Sequence, residues 1–208
     1  MNTVRIYIAD TRQLLDREAE ALPLLTPQRR VSIEKIKPVN GQLHGIAAGL
    51  LLRRVLGVTS DADLKKGEQG KPELAGEGPC FNLSHGGNYA VLAVSDDSVG
   101  VDVEPIGEKI PIAIPRRFLR PDELAWLEED LSPIRFAQLW TRLESALKAD
   151  GRGFAIECRD FSVLESGNPW YLETVQYQEH CISCALATPF ELDITYLSAG
   201  NLLEENQP

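Results

Sequence analysis

The order of strand and helix patterns constrains the fold of this chain more than any other feature of its sequence. Alternating apolar residues predict an opening strand at residues 4–8, and helical patterns occupy residues 11–56. Strand patterns follow over residues 80–104, helical patterns over 111–150, and strand-like segments over 160–197. Helices followed by strands therefore occur once before about residue 102 and once after it. This order predicts an α+β fold.

The chain reads as two halves, residues 1–101 and residues 102–208, without a low-complexity linker between them. Halves joined in this way should pack tightly against each other. Clefts between packed halves are common ligand sites. We therefore expect an active site at the junction of the two halves.

Three finer expectations concern individual elements. Asn40-Gly41 reads as a turn that separates a helix ending by Lys37 from one running from about Gln42 to Leu56. The strand patterns between Cys80 and Glu104 read as an antiparallel hairpin or meander. Residues 160–164 read as a further strand.

Three acidic residues and one lysine occur in patterns that bring them together in pairs. Asp102 and Glu104 lie two residues apart in a predicted strand, so both carboxylates point to one face. Glu144 and Lys148 lie four residues apart in a predicted helix, one turn from each other. Oxygen ligands of this kind suit Mg²⁺, and a nearby lysine suits phosphate, so the set indicates phosphoryl chemistry on a diphosphate. A solvent-exposed ion pair is the alternative for Glu144 and Lys148.

Composition and charge narrow the class of protein. The chain has 208 residues, of which 43% are apolar and 25% charged, and its net charge of −10 argues against nucleic acid as the main partner. No apolar run approaches the ~20 residues of a membrane span. The N-terminal residues lack the pattern of a signal peptide, and the four cysteines are irregularly spaced. A cytoplasmic protein without a membrane or nucleic-acid partner is the expectation.

Five sequence elements, in this order, resemble the 4′-phosphopantetheinyl transferases of the surfactin-synthetase type. The strand element is Gly-x-Asp-x-Glu, and the helix element carries a tryptophan, the metal-binding glutamate and a lysine before a Gly-x-Gly end. The corresponding segments here are Thr26-Pro27, Gly70–Pro72, Phe81–His85, Gly100–Glu104, and Trp140–Lys148 with Gly151–Gly153. Each motif is weak alone, but together they cover most of the chain.

The resemblance implies a fold, a reaction and a co-substrate. The fold would be two similar α+β halves related by a pseudo-twofold axis, each a small antiparallel sheet packed with helices, with coenzyme A between them. The reaction would move the phosphopantetheine arm of coenzyme A onto a serine of an apo acyl or peptidyl carrier protein and release adenosine 3′,5′-bisphosphate. It would require Mg²⁺, which Mn²⁺ could replace at an all-oxygen site. Two halves in one chain make a monomer sufficient.

The resemblance also assigns roles to residues. Asp102, Glu104 and Glu144 would hold Mg²⁺, and Glu144 would also take the proton of the attacking serine. Lys148 would act beside Glu144 on the phosphates. The positions matched to contacts with coenzyme A are Arg29, His44, Lys71, Ser84, His85 and Lys148.

The chain departs from the family pattern at three points. Leu143 replaces a lysine that normally precedes the metal-binding glutamate, and His44 replaces an arginine that grips the 3′-phosphate in many relatives. A neutral histidine would bind phosphate more weakly and with greater sensitivity to pH. The acidic net charge would require a local patch for docking an acidic carrier protein, and Arg116, Arg117 and Arg120 are candidates.

Two other functions fit parts of the pattern. A catalytically silent relative that binds coenzyme A or a carrier protein is consistent with Leu143 and His44. A Mg²⁺-dependent hydrolase of a small diphosphate is consistent with the carboxylates, although it leaves the Phe81–His85 element without a role.

Overall fold

A computed structural model describes residues 1–67, 70–107, 110, 113–153, 157–167 and 169–204 of the chain. The strands in these ranges are β1 Asn2–Asp10, β2 Leu64–Lys66, β3 Pro72–Leu74, β4 Cys80–Gly86, β5 Tyr89–Ser95, β6 Gly100–Pro105, β7 Tyr171–Tyr177, β8 His180–Leu186 and β9 Phe190–Leu197. The α-helices are α1 Glu18–Ala21, α2 Pro27–Glu34, α3 Val39–Leu56, α4 Ala113–Phe118, α5 Pro121–Glu129, α6 Pro133–Asp150 and α7 Ala199–Leu203.

The strands form two principal sheets and one short hairpin. The first sheet has the order β4-β5-β1-β9, in which β1 is antiparallel to β5 and parallel to β9. The second sheet has the order β6-β8-β7 and is antiparallel throughout. Strands β2 and β3 pair with each other as a separate hairpin.

The two sheets pack face to face, and a helix covers the outer face of each. Alternation in β1 places Val4, Ile6 and Ile8 in the core between the sheets, where Val101 and Val103 of β6 meet them. The other face of the first sheet packs against α3, and the outer face of the second sheet packs against α6. This helix–sheet–sheet–helix arrangement leaves the even-numbered residues of β6 on the α6 side.

The predicted α+β class with small antiparallel sheets is confirmed apart from the parallel pair of β1 and β9, but the predicted meander is only partly right. Strands β4 and β5 do form a hairpin. Strand β6 does not continue it, because β5 already has β4 on one edge and β1 on the other. Strand β6 therefore pairs with β8 in the second sheet.

Two predicted local features are wrong. Asn40 and Gly41 lie inside α3, which begins directly after Pro38, and Gly41 packs closely against Ile36 instead of forming a turn. Residues 160–164 do not form a strand. The backbone N–H of Val163 donates instead to the buried carboxylate of Glu123 at 2.6 Å, so a side chain satisfies this group in place of a neighbouring strand.

Strand pairing crosses the predicted boundary between the halves. Residue 101 lies inside β6, and β9 from beyond that boundary pairs with β1 at the other end of the chain. The division at residues 101 and 102, like the pseudo-twofold relation, stays a prediction. Helices that combine the length and apolar character of a membrane span do not occur in the described ranges.

Candidate active site

Strands β4 and β6 and helix α6 come together because glycines allow their backbones to approach closely. A Cβ atom on Gly100 would overlap the backbone of Ser145 and Ala149 in α6. A Cβ atom on Gly86, at the end of β4, would overlap the carbonyl of Val103. Gly86 therefore makes room for the backbone of β6.

A buried asparagine fixes β4 relative to β6. The side-chain oxygen of Asn82 accepts a hydrogen bond of 2.9 Å from the backbone N–H of Val101. This bond crosses from the first sheet to the second and satisfies a backbone donor at the edge of β6. Ser84 lies two residues after Asn82 on β4, and Asp102 lies two residues after Gly100 on β6. The bond from Asn82 therefore places Ser84 beside Asp102.

Ser84, Asp102 and Lys148 form a compact polar cluster at this junction. The Lys148 ammonium lies 2.6 Å from Oδ1 of Asp102 and 3.0 Å from the Ser84 hydroxyl, which itself donates to the same Oδ1 at 2.8 Å. The Asp102 side chain is 5% exposed and that of Lys148 27%, so the carboxylate is buried while the ammonium stays partly accessible to solvent. A buried carboxylate needs such partners to remain charged.

The other two acidic residues lie close enough to influence each other's ionisation. Burial, reinforced by the charges of Asp102 and Glu144, raises the pKa of Glu104 to about 7. Burial and the charge of Asp102 also raise the pKa of Glu144, although Lys148, 3.9 Å away, opposes this shift. For both carboxyls, burial and the charge of Asp102 thus outweigh the attraction of Lys148.

A divalent cation fits this donor set in chemical type. Among the described residues, no group of three His, Cys, Asp or Glu side chains is close enough together to hold a metal ion as the side chains stand. Within the same residues, Oδ2 of Asp102 is buried without a hydrogen-bond partner. That oxygen, the partly exposed Glu144 and the mutual repulsion of the carboxylates are features that an oxygen-binding cation would satisfy.

Two histidines stack beside the cluster. The rings of His44 and His85 lie 4.7 Å apart between centroids and are inclined by 16°. Nε2 of His44 donates to the carbonyl of Gly87 at 2.9 Å, which fastens α3 to the turn after β4. Burial, together with the nearby charges of His44 and Lys148, lowers the pKa of His85. An anion bound here would favour the protonated ring.

Lys71 and Arg29 do not contact the carboxylates. The Lys71 ammonium donates to the backbone carbonyls of Val99 and Lys148. The Arg29 side chain crosses Gly49 on α3, five residues beyond His44, and burial lowers the pKa of its guanidinium. The structure thus groups His44, Ser84, His85, Asp102, Glu104, Glu144 and Lys148, and it places Lys71 behind the end of α6 and Arg29 further along α3.

Comparison with known proteins identifies the family. A family model described as the 4′-phosphopantetheinyl transferase superfamily matches residues 98–188. The 4′-phosphopantetheinyl transferase AcpT of Salmonella typhimurium is 31% identical over 156 residues, which cover 72% of this chain and 78% of that protein. The chain belongs to the 4′-phosphopantetheinyl transferase superfamily.

Two further relatives in the superfamily differ in how much of each chain is matched. The transferase gsp of Aneurinibacillus migulanus is 36% identical over 150 residues, which cover 68% of this chain and 61% of that protein. The chain thus matches less than two thirds of the length of gsp. The transferase Sfp of Bacillus subtilis is 26% identical over 225 residues, which cover 96% of this chain and all of that protein.

Within this superfamily member, the departure at Leu143 lies away from the site. Leu143 is 1% exposed and packs in the core between α6 and the second sheet, with Leu147 and Leu172. Glu144, the next residue, projects toward Lys148 and the strand carboxylates. The leucine at position 143 therefore changes the core beside α6. It does not remove a cation from the carboxylate cluster.

Leu143→Ala is expected to reduce stability without removing site chemistry. Deleting a buried leucine side chain costs about 2–5 kcal/mol in the free energy of unfolding. Urea denaturation should show this loss, while the transferase activity proposed below, measured on the folded fraction at low temperature, stays within about threefold of the parent. A normal midpoint combined with lost activity would place Leu143 in the site after all.

The residues that sequence reasoning missed are those that join the elements. Asn82 lies in the transferase-like Phe-Asn-x-Ser-His element, and the bond from its side chain to β6 was not foreseen. Gly100 opens the Gly-x-Asp-x-Glu element, and its close approach to α6 was not foreseen either. The sequence signal that could have identified Asn82 and Gly100 is that both lie inside motifs shared with the transferases.

Proposed function

We propose that this chain transfers the 4′-phosphopantetheine arm of coenzyme A to a serine hydroxyl of an apo carrier protein, in a Mg²⁺-dependent reaction that releases adenosine 3′,5′-bisphosphate. It would act as a monomer in the cytoplasm. The observation that carries the proposal is the convergence of Asp102, Glu104, Glu144 and Lys148 at the meeting point of β4, β6 and α6. Membership of the transferase superfamily supports it.

The metal would be held by Asp102, Glu104 and Glu144. When bound, Mg²⁺ would supply positive charge that stabilises the negative charge developing on the leaving phosphate. Lys148 already lies 2.6 Å from Asp102, with its ammonium between the strand and the helix. From there it can supply a further positive charge to the diphosphate.

Coenzyme A would be bound by residues of the first sheet and its helices. Ser84 contributes a hydroxyl next to Lys148, and the stacked rings of His44 from α3 and His85 from β4 lie beside it. These groups suit phosphate oxygens, since hydroxyls and imidazoles can donate hydrogen bonds to them. Arg29 is the more distant cation of the set, and it would contact a phosphate at the α2–α3 end of the site.

The reaction is an exchange of one P–O bond for another. The serine oxygen of the carrier attacks the phosphorus that bears the pantetheine arm, and the anhydride bond to the adenosine bisphosphate breaks. The serine proton passes to Glu144 directly or through water, and the leaving phosphate keeps the electron pair of the broken bond. The carrier gains a phosphodiester, so atoms and charge balance without another reactant.

The position of Leu143 bears on the alternative of a silent coenzyme A or carrier-protein binder. One of the two departures that favoured it is a core residue, which leaves His44 as its support. His44 stacks on His85 and donates to Gly87, so it remains part of the site despite the change of residue type.

The decisive test is the intact mass of an apo acyl carrier protein after incubation with the chain, coenzyme A and Mg²⁺. We expect the mass to increase by one phosphopantetheine arm and this gain to disappear when the metal is chelated. Release of adenosine 3′,5′-bisphosphate without any carrier would identify a hydrolase. Coenzyme A binding without modification of several unrelated carriers would identify the silent binder.

A further inference from the structure

The last turn of α6 ends in backbone carbonyls that residues outside the helix satisfy. Carbonyls in the last turn of a helix lack intrahelical donors. The Lys148 carbonyl accepts a hydrogen bond of 2.9 Å from the Lys71 ammonium, and the Ala149 carbonyl accepts one of 2.9 Å from the Ser98 hydroxyl. Two side chains of the first half thus cap the helix that carries Glu144.

The same ammonium also reaches the chain just before β6. Lys71 Nζ donates to the carbonyl of Val99 at 2.8 Å, and the next residue, Gly100, is the one that approaches α6 without a side chain. One cation therefore joins the start of the strand that carries Asp102 and Glu104 to the end of the helix that carries Glu144.

Charge and burial favour this position for a lysine. An ammonium near the C-terminus of a helix is stabilised by the helix dipole. The Lys71 side chain is partly buried, and burial lowers its pKa, so the two carbonyls compensate for lost hydration. Its backbone is anchored as well, because the Lys71 carbonyl accepts from the N–H of Gly67 at 2.8 Å.

We propose that Lys71, assisted by Ser98, is a positioning residue that sets the spacing between the carboxylates of β6 and Glu144 of α6. An ammonium has three N–H donors, and two of those of Lys71 bond to carbonyls of the protein itself. The sequence resemblance assigns Lys71 to coenzyme A phosphates, and this inference gives it a role before any ligand binds. Its effect on turnover rests on the proposed transferase function, whereas its effect on the ligand-free chain does not.

Hydrogen exchange of the ligand-free chain, measured by mass spectrometry, tests the role directly. Lys71→Met keeps the apolar stem and removes the donors. We expect exchange to accelerate about tenfold or more in peptides covering residues 98–104 and 144–151, since local opening becomes easier. Ser98→Ala should accelerate the helix peptide alone. Lys66→Met, which removes an exposed lysine from β2 of the same hairpin, is the matched control and should change neither peptide.

Steady-state kinetics with an apo carrier protein give a second reading. Lys71→Met should lower kcat about tenfold or more, because misplacing reacting groups by a fraction of an ångström is costly, while KM for coenzyme A changes less than about threefold. Lys71→Arg, which keeps donors, should restore part of both protection and kcat. If Lys71→Met fails to fold, the hydrogen-exchange rates of the Lys71→Arg and Ser98→Ala variants decide the question instead.

The opposite result is well defined. Unchanged exchange in the ligand-free Lys71→Met variant would overturn the proposal, and a large rise in KM with normal kcat would then make Lys71 a phosphate ligand only. If the parent chain modifies no carrier, the transferase proposal fails, and the exchange experiment still decides whether Lys71 holds β6 and α6 together.

Discussion

Glu144→Gln is expected to reduce carrier modification by at least about 100-fold, since it removes the proposed metal ligand and the proposed proton acceptor at once. Glutamine has nearly the same shape, so packing around α6 should be preserved. Burial and the charge of Asp102 disfavour the ionised form of Glu144 in the folded chain, so removing that charge should leave the melting temperature unchanged or slightly higher. Intact-mass rate measurements and thermal unfolding would record the two effects.

The control for this variant is Glu191→Gln, an identical change at an exposed position on β9. It should retain the parent rate. Near-normal activity in Glu144→Gln would show that the metal assignment is wrong. A large loss of melting temperature would instead mean that the Glu144–Lys148 pair is chiefly structural.

Gly100→Ala is expected to have the largest effect on stability. The added methyl group would overlap backbone atoms of Ser145 and Ala149, which cannot move as a flexible side chain could. Overpacking of this kind costs about 3 kcal/mol or more, which for a chain of this size lowers the melting temperature by roughly 6–12 °C. Carrier modification should fall as well, because β6 carries two of the carboxylates.

Gly76→Ala provides the matched control, since no described atom lies within 4 Å of the position its Cβ would take. Thermal unfolding should show little change for that variant. If Gly100→Ala were equally mild, the close approach of β6 to α6 would not be what positions the carboxylates.

Local patterns in the sequence were enough to predict the elements that carry the site. The alternation in residues 100–104 and the four-residue spacing of Glu144 and Lys148 each place two groups on one face, and the structure has both arrangements. The α6 boundaries were also predictable, because Ser132 caps the helix through its hydroxyl and Gly151 ends it in a left-handed conformation.

Partners distant in sequence could not be predicted from local patterns. Which strand pairs with β6 depends on both edges of β5 being occupied, a property of the whole sheet. The turn expected at Asn40-Gly41 is replaced by helix because Gly41 packs on Ile36. From the sequence alone, Leu143 suggests that the site has lost a cation. The packing of α6 shows instead that residue 143 faces the core.

The parallel pairing of β9 with β1 has a consequence for how the chain is made. Strand β1 is synthesised first, but its neighbour on one side comprises residues 190–197, so the first sheet stays incomplete until almost all of the described chain has been translated. Pairing over such a sequence separation is slow, and an unpaired strand edge is prone to aggregation meanwhile. Released chains that end before residue 190 should therefore engage chaperones more strongly than released chains that include residues 190–197.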